Sequence, residues 1–251
     1  MCWKKDIGVV VLAAGKGTRM GSNLAKVLHH VNGQSMIVHV VDCAVKVSGA
    51  NVVVVVGHQA EDVKDEVLQS FEVKFALQKK LLGTGDAVKA ALPFLSEGLN
   101  HVVILCGDVP LIKAGTVERL VEFHLYNKNL LTALAVEVDD STGYGRIILD
   151  GEKMLMAICE EADASVEEKK IKLINSGIYC IERKFLTSAL EGLTRDNAQN
   201  EYYLTDLVKI GAAEGIKMGV LITDDPHEVV GVNTPAQLNQ AEEQCRQRSN
   251  L

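Results

Sequence analysis

VVVLAAGKGTRM, residues 9–20, joins a strand-length apolar run to a glycine-rich loop that carries cations. Lys26 follows seven residues after Arg19 and adds another positive charge. Glycines let backbone N–H groups approach oxygen atoms closely, and Arg and Lys side chains neutralise negative charge. The stretch therefore predicts a buried strand that ends at a phosphate-binding loop.

The spacing of this loop excludes two common nucleotide-binding motifs. A Walker A loop needs Gly-x-x-x-x-Gly-Lys-Ser/Thr, and the loop does not have that spacing. A dinucleotide fingerprint needs a third glycine at position 20, where the chain has Met20, and Gly21 comes one residue late. A strand-to-helix turn without a ligand also fits a lone Gly-x-Gly, but Arg19 and Lys26 favour the phosphate interpretation.

The composition indicates a folded protein that acts on small anionic molecules. The chain has 251 residues, 47% of them hydrophobic, which suffices for a substantial core. Its net charge of -7 argues against nucleic acid or an anionic membrane surface as the main partner. An anionic ligand must therefore meet a pocket that is locally basic.

Cysteine usage and the N-terminal residues favour a cytoplasmic location. The six cysteines are scattered without a Cys-x-x-Cys pair, which is typical of reduced thiols, and no zinc site is indicated. Residues 1–6 lead into the first apolar run without the hydrophobic core of a signal peptide, and the apolar runs have the length of strands. The residues themselves indicate no oligomeric state.

Apolar runs alternate with helical patterns over the first 140 residues. Strands are predicted near residues 7–14, 52–56, 73–77, 102–106 and 130–138, and helices over 36–47, 60–70, 84–92 and 116–126. This alternation predicts an α/β fold, with a mainly parallel sheet covered on both faces by helices.

After Gly143 the pattern changes to consecutive strands. Short segments at 146–149, 154–160 and 172–182 predict a mixed or antiparallel extension. A helix over 183–193, another from near Leu204, a strand at 218–223 and a polar helix from Pro235 follow. With neither a linker nor an internal repeat, we expect a single domain over residues 1–251.

A carboxylate stands just beyond the buried strand at 102–106. The segment Gly107-Asp108-Val109-Pro110 places Asp108 at the carboxyl end of this strand, where open α/β sheets bind ligands. If this strand neighbours the first one, Asp108 lies beside the glycine-rich loop, where a carboxylate that faces phosphates can bind Mg²⁺. Taken alone, Gly-Asp-x-Pro is also an ordinary turn.

Together these motifs resemble the sugar-1-phosphate nucleotidyltransferase family. Within that family the chain is most similar to the N-acetylglucosamine-1-phosphate uridylyltransferase branch, and the similarity covers nearly the whole chain in order. The segments that carry it lie at residues 12–20, 26–29, 82–85, 107–110, 143–147, 175–178, 197–199, 201–206 and 231–233.

The resemblance implies a nucleotide-diphospho-sugar transferase fold. This fold is a Rossmann-like, mainly parallel mixed sheet flanked by helices, with a small β-rich sugar-binding extension. It divides the chain into a nucleotide-binding half at about residues 1–140, a sugar-binding half at about 141–235 and a C-terminal helix at 236–251.

The resemblance also implies roles for individual residues. The catalytic residues are Arg19, Lys26 and Asp108, and Mg²⁺ is bound by Asp108 and Asn233. The residues expected to hold the nucleotide are Leu12, Ala13, Ala14, Gly15, Gly17, Gln78, Gly83, Thr84 and Gly107. The residues expected to hold the sugar are Gly145, Glu160, Asn175, Tyr203 and Thr205.

The implied reaction joins UTP to N-acetylglucosamine 1-phosphate with release of pyrophosphate. Two alternatives stay open at this point. One is a nucleotidyltransferase for another sugar phosphate or base, such as glucose 1-phosphate with UTP or dTTP. The other is a catalytically silent nucleotide-sugar sensor, although the intact set of Arg19, Lys26, Asp108 and Asn233 argues against it.

The chain departs from the family pattern in several places. Ala25 replaces a proline before the loop lysine, and Cys106 replaces a residue that is often tyrosine. Ala162 and Asn200 replace the usual lysine and glycine near the sugar-binding residues. Members of the branch continue into a β-helix of hexapeptide repeats that performs acetyl transfer, whereas this sequence ends at Leu251. We therefore expect no acetyltransferase activity.

Overall fold

The computed structural model describes residues 2–249, which form eleven strands and seven α-helices. The strands are β1 (Ile7–Ala13), β2 (His30–Val31), β3 (Gln34–Ser35), β4 (Val52–Val56), β5 (Lys74–Leu77), β6 (His101–Cys106), β7 (Leu131–Glu137), β8 (Arg146–Leu149), β9 (Leu155–Cys159), β10 (Leu173–Glu182) and β11 (Met218–Thr223). The helices are α1 (Met36–Ser48), α2 (Ala60–Leu68), α3 (Thr84–Ala91), α4 (Ala114–Asn127), α5 (Arg183–Glu191), α6 (Asp206–Ala213) and α7 (Pro235–Ser249).

The main sheet is mixed and mainly parallel, as the sequence predicts. Its strands follow the order β11-β7-β10-β6-β1-β4-β5, and β8 and β9 extend it from β10. β1 pairs in parallel with β4 and β6, β4 with β5, and β7 with β11. β10 runs antiparallel to β6, β7 and β8, and β8 runs antiparallel to β9.

Helices cover both faces of this sheet. Side chains along β1 alternate between the faces because successive residues of a strand point in opposite directions. Val9 and Val11 belong to the apolar cluster that contains residues of α1, α2 and α4, whereas Val10 belongs to the cluster that contains residues of α3, α5 and α6. A strand that is buried on both faces needs a continuous apolar sequence, which β1 and β4 have.

The strand and helix positions predicted along the chain are confirmed to within about two residues. The short hairpin of β2 and β3 was not predicted, because two-residue strands are too short to show periodicity. Its signal is the pair Asn32-Gly33, which has positive φ at both residues, as the two-residue turns of hairpins commonly do. Within residues 2–249, no helix combines the length and apolar character that a membrane crossing requires.

Helix α7 is polar and packs beside the β2–β3 hairpin. A small apolar cluster joins Ala241 of α7 to Val31, Met36 and Val232. The backbone N–H of Asn32 donates to Glu242 Oε1 at 2.9 Å. The helix thus contacts the segment that contains Gly231 and Asn233, which the resemblance assigns to the site.

Candidate active site

The pairing of β1 with β6 brings the glycine-rich loop next to Asp108. Leu12 and Cys106 are partners in the register of the two strands. The N–H of Gly107 donates to the carbonyl oxygen of Leu12 at 2.9 Å, which extends the pairing by one residue. The expected proximity of Asp108 to the loop is therefore confirmed.

The loop brings Lys26 to the same place through a close contact at Gly17. Gly17 has φ +65°, and a Cβ added to it would overlap the Cβ of Lys26. Glycine adopts this left-handed conformation without a steric penalty. Gly17 therefore lets the stem of Lys26 pack directly on the loop backbone.

Lys26, Asp108 and Asn233 form a compact hydrogen-bonded cluster. The Lys26 ammonium is paired with Asp108 Oδ2 and donates to Asn233 Oδ1 at 2.8 Å. Arg19 Nη2 donates to the same Asn233 oxygen at 2.9 Å. The two partners of the ion pair keep only 16% and 18% of their side-chain surface exposed. The residues that the resemblance assigns to catalysis and metal binding thus meet in one place.

Backbone contacts hold Asn233 in this cluster. The N–H of Val232 donates to the carbonyl oxygen of Asp108 at 2.8 Å. Asn233 Nδ2 donates to the carbonyl oxygen of Gly231 at 3.2 Å, so its Oδ1 faces the cations. Gln237 Oε1 accepts from the backbone N–H of Asn233 at 2.8 Å, and the N–H of Gln237 donates to Thr234 Oγ1. This capping arrangement ties Asn233 to the start of α7.

A first cavity, which we call the glycine-loop cavity, lies between the loop and α3. Its volume is about 290 Å³. It is lined by Leu12, Ala13, Ala14, Gly15, Lys26, Val27, Gln78, Leu81, Gly83, Thr84, Ala87, Cys106, Asp108 and Glu201. The cavity thus brings together most of the residues expected to hold the nucleotide.

The amide of Gln78 has a defined orientation at the rim of this cavity. Its Nε2 donates to the carbonyl oxygen of Gly83 at 3.0 Å and to Asp86 Oδ2 at 2.8 Å. Because both hydrogens of the amide are used, its remaining capacity is that of the acceptor Oε1. Gln78 can therefore accept a hydrogen bond from a ligand in the cavity.

A second cavity, which we call the Glu160 cavity, lies on the β10 side of Asp108. Its volume is about 280 Å³. It is lined by Leu12, Thr84, Cys106, Asp108, Val109, Gly143, Tyr144, Gly145, Glu160, Asn175, Ser176, Gly177, Tyr179, Leu204, Thr205, Gly231 and Asn233. Leu12, Thr84, Cys106 and Asp108 line both cavities, so the two meet at the carboxyl ends of β1 and β6.

Polar groups in the Glu160 cavity are held by neighbouring side chains. Thr205 Oγ1 donates to Glu160 Oε1 at 3.0 Å, and Asn175 Nδ2 donates to the Tyr179 hydroxyl at 2.6 Å. Burial raises the pKa of Glu160, and the hydrogen bond from Thr205 opposes that rise. Burial also raises the pKa of the Cys106 thiol to about 12, so this thiol is neutral at physiological pH.

Backbone hydrogen bonds connect the walls of the two cavities. The N–H of Tyr202 donates to the Leu82 carbonyl at 2.7 Å, and the N–H of Gly85 donates to the Tyr202 carbonyl at 2.8 Å. The N–H of Leu204 donates to Thr84 Oγ1 at 3.0 Å. Segment 82–85, which supplies Gly83 and Thr84 to the first cavity, and segment 202–205, which supplies Leu204 and Thr205 to the second, therefore form one hydrogen-bonded unit.

Four of the expected site residues line neither cavity. Arg19 is exposed and reaches the cluster through Asn233, while Gly17 and Gly107 act through their backbone positions. Tyr203 is 7% exposed and lies beside the Glu160 cavity, with Leu204 and Thr205 on its wall. Its role at the sugar stays a prediction.

Sequence reasoning did not assign several residues of the cavity walls. Tyr144, Ser176 and Gly177 line the Glu160 cavity, and Glu201 lines the glycine-loop cavity. All four lie inside or beside the motifs that carry the family resemblance. Their proximity to those motifs is the signal that could have identified them.

The donor set around Asp108 fits a hard divalent cation. In residues 2–249, no group of three or more His, Cys, Asp or Glu side chains could hold a metal ion. The available donors are the carboxylate oxygen of Asp108 and the amide oxygen of Asn233. The positively charged ammonium of Lys26 contacts both of them. Oxygen donors suit Mg²⁺, which takes only one or two protein ligands beside substrate phosphates and keeps several waters.

Curated relatives match nearly the whole chain. It is 45% identical over 245 residues to the bifunctional protein GlmU of Geotalea uraniireducens, which covers 98% of the chain and 54% of the relative. The GlmU proteins of Clostridioides difficile and Caldanaerobacter subterraneus are 45% and 48% identical, over 96% and 98% of the chain and 52% and 53% of their own lengths. The chain thus spans about half the length of the curated relatives it matches.

A family match covers the strands and loops that build the glycine-loop cavity. Residues 9–138 match the family described as MobA-like NTP transferase domain. This range includes most of β1, the glycine-rich loop, Lys26, Gln78 and Asp108. Because the match covers half of the chain, the chain belongs to the MobA-like NTP transferase domain family.

Proposed function

We propose that this chain is a uridylyltransferase that makes UDP-N-acetylglucosamine and pyrophosphate from UTP and N-acetylglucosamine 1-phosphate. The observation that carries the proposal is the meeting of two cavities at Asp108, one beside a cationic glycine-rich loop and the other lined by Glu160, Asn175 and Thr205. Such a pair suits a triphosphate and a sugar phosphate that react where the cavities join. Identities of 45–48% to GlmU proteins support this assignment.

The reaction needs positioning more than proton transfer. The second pKa of a phosphate monoester is about 6, so the sugar phosphate is largely dianionic at neutral pH. One of its oxygens attacks the α-phosphorus of UTP, the new P–O bond forms, and the bond to the β-phosphate oxygen breaks with release of pyrophosphate. The attacking oxygen carries no proton, and therefore no general base is required.

The cations of the cluster would neutralise the phosphates. Lys26 lines the glycine-loop cavity, and Arg19 is exposed beside it, so both can turn towards a triphosphate. Their contacts would bind the leaving pyrophosphate and stabilise the negative charge that develops during transfer. A chain with a net charge of -7 needs such a local positive site to bind two anionic substrates.

Gln78 would select the base. Its free acceptor, Oε1, matches the N3–H of uracil. Cytosine has an acceptor at N3, so two acceptors would face each other without a hydrogen bond, and an unsatisfied buried polar group costs about 1–3 kcal/mol. This contact does not distinguish uracil from thymine, because thymine has the same N3–H.

The Glu160 cavity would hold the sugar. Carboxylate and amide groups from Glu160 and Asn175 can exchange hydrogen bonds with sugar hydroxyls, and Gly145 leaves space beside them. Tyr203 and Thr205 belong to the segment that we assign to the N-acetyl group. Cys106, which lines this cavity, and Asn200, which precedes the segment 201–206, differ from the family pattern, so these departures concern the choice of sugar more than the type of reaction.

Mg²⁺ would be held by Asp108 and Asn233, whose oxygens suit a hard cation. When bound, it would supply positive charge that offsets the repulsion between the two anionic substrates. A cytoplasmic setting is consistent with this chemistry and with the reduced thiols of Cys43, Cys106, Cys159 and Cys180.

A substrate matrix tests the proposal directly. UTP, dTTP, CTP, ATP and GTP would each be combined with N-acetylglucosamine 1-phosphate and with glucose 1-phosphate, and pyrophosphate release measured in Mg²⁺. We expect the highest kcat/KM for UTP with N-acetylglucosamine 1-phosphate. A higher value for glucose 1-phosphate or dTTP would assign the chain to another member of the same reaction class. Binding of UDP-N-acetylglucosamine without turnover of any pair would make it a sensor.

A further inference from the structure

The ammonium group of Lys26 contacts both oxygens that the proposed function assigns to the metal. It is paired with Asp108 Oδ2 and donates to Asn233 Oδ1 at 2.8 Å. The ammonium therefore lies between the two oxygens that would bind a divalent cation. A metal ion at bonding distance from both, about 2.1 Å for Mg²⁺, and the Lys26 nitrogen would occupy the same region of space.

The cluster holds Lys26 in this position firmly. Its stem packs against the backbone of Gly17, where the Cβ of any other residue would overlap it. Only 16% of the Lys26 side chain and 18% of the Asp108 side chain are exposed, so little water screens their attraction. A metal ion must therefore displace Lys26 rather than join it.

We infer that Lys26 and the divalent metal compete for Asp108 and Asn233, and that the nucleoside triphosphate resolves the competition by drawing Lys26 onto its phosphates. This inference rests on the proposed function, because it takes the ligands of the metal and the phosphates of the nucleotide from it. The same lysine pairs with Asp108 when no metal is bound and contacts the phosphates when nucleotide is bound.

The competition predicts an order of affinities. Without nucleotide, the metal must break the Lys26 contacts, so it binds weakly. With nucleotide bound, Lys26 has an alternative anion, and the oxygens are free for the metal. Metal and nucleotide then strengthen each other's binding by the same factor, as thermodynamic linkage requires. The site thus takes up metal mainly together with its nucleotide.

Lys16 provides a matched control for the charge of Lys26. It lies in the same loop and is exposed, and replacing it with methionine removes the same unit of charge. A change in metal affinity that results only from the total positive charge of the loop will appear in both Lys16→Met and Lys26→Met. A change that depends on contact with Asp108 and Asn233 will appear only at Lys26.

The test measures Mn²⁺ binding by the electron paramagnetic resonance signal of the free ion, without nucleotide. We expect Lys26→Met to bind Mn²⁺ at least tenfold more tightly than the unmodified chain, and Lys16→Met to differ by less than threefold. The double variant Lys26→Met with Asp108→Asn should lose the gain. Lys26→Gln, which is also uncharged, repeats the measurement if Lys26→Met does not fold.

A second measurement follows Lys26 to the phosphates. In EDTA, UTP binding by calorimetry should weaken at least tenfold in Lys26→Met and less than threefold in Lys16→Met. Unchanged Mn²⁺ affinity in both Lys26 variants, or an equal gain in Lys16→Met, would overturn the inference even if the unmodified chain turns over UTP. Absence of turnover together with the expected Mn²⁺ gain would instead contradict the proposed function.

Discussion

The two cavities are built in different ways, although they share a wall. The glycine-loop cavity is formed by residues that follow the parallel strands β1, β5 and β6, and much of its lining is backbone and small side chains. Polar side chains of the Glu160 cavity come from antiparallel β10, from the residue that follows β9 and from Thr205 in an irregular segment. Under the proposed function, backbone shape should therefore control nucleotide binding, whereas side-chain chemistry should control sugar binding.

The largest effect is expected at Asp108, which belongs to both cavities. Asp108→Asn removes the charge that pairs with Lys26 and that would bind the metal. Loss of one such electrostatic group costs about 3 kcal/mol or more of transition-state stabilisation, so pyrophosphate release should fall by about a hundredfold or more. Asp65→Asn, on the exposed side of α2, is the control. Near-normal turnover of Asp108→Asn would contradict the assignment of Asp108.

Gly17 tests whether backbone shape controls the nucleotide side. Gly17→Ala forces a Cβ against Lys26, in addition to the left-handed strain of about 1 kcal/mol. Gly21→Ala carries the same strain, with φ +63°, but its Cβ would meet no atom within 4 Å. We expect Gly17→Ala to raise the KM for UTP at least tenfold and Gly21→Ala to change it less than threefold. Steady-state kinetics would measure the effect on KM, and thermal melts would measure the effect on stability. Equal changes in KM for the two variants would refute a specific role for the contact between Gly17 and Lys26.

Glu160 tests the side-chain chemistry of the other cavity. Glu160→Gln keeps the shape but removes the charge that accepts hydrogen bonds, and such bonds contribute about 1.5–3 kcal/mol. The KM for the sugar phosphate should rise by roughly tenfold or more, while the KM for UTP stays within about twofold. Glu167→Gln, whose side chain is 80% exposed, is the control. An equal rise in both KM values would show that the two cavities do not act separately.

The smallest effect is a change of stability with pH. Burial raises the pKa of Glu160 in the folded state, so between its unfolded and folded pKa values the folded chain binds more protons than the unfolded chain. The stability that this carboxyl contributes is present below its unfolded pKa and is lost as pH rises through its folded pKa. Glu160→Gln should therefore raise Tm at pH 8 and not at pH 4, as measured by calorimetry. If the Tm of Glu160→Gln differed from that of the unmodified chain by the same amount at pH 4 and pH 8, the prediction that Glu160 has a raised pKa would be wrong.

The glycine-loop cavity could be predicted from local sequence. The apolar run at 9–13 and the glycines that follow are contiguous, and the carboxyl ends of parallel strands meet at one edge of a sheet. Asp108 could therefore be placed beside the loop before its contacts were known. The partners of Lys26 could not, because no local pattern shows that its ammonium pairs with Asp108 and Asn233 instead of facing solvent.

The Glu160 cavity was predictable only through the family resemblance. Residues 203–205 lie in an irregular segment, where neither period 2 nor period 3.6 indicates which side chain faces the cavity. Thr205 contacts Glu160, whereas Tyr203 is buried beside it. The link from Gln237 to Asn233 is an exception, because Thr234-x-x-Gln237 has the spacing of a capping box at the start of a helix.

β10 limits how the two halves can move. It hydrogen-bonds to β6, whose end leads to Asp108, and to β7 and β8, and it supplies Asn175 to the Glu160 cavity. A hinge opening between a nucleotide lobe and a sugar lobe would break these ladders, because one strand belongs to both. Under the proposed function, we therefore expect any conformational change during the reaction to lie in the connecting loops at residues 14–29, 138–145 and 194–205, while the sheet keeps its pairing.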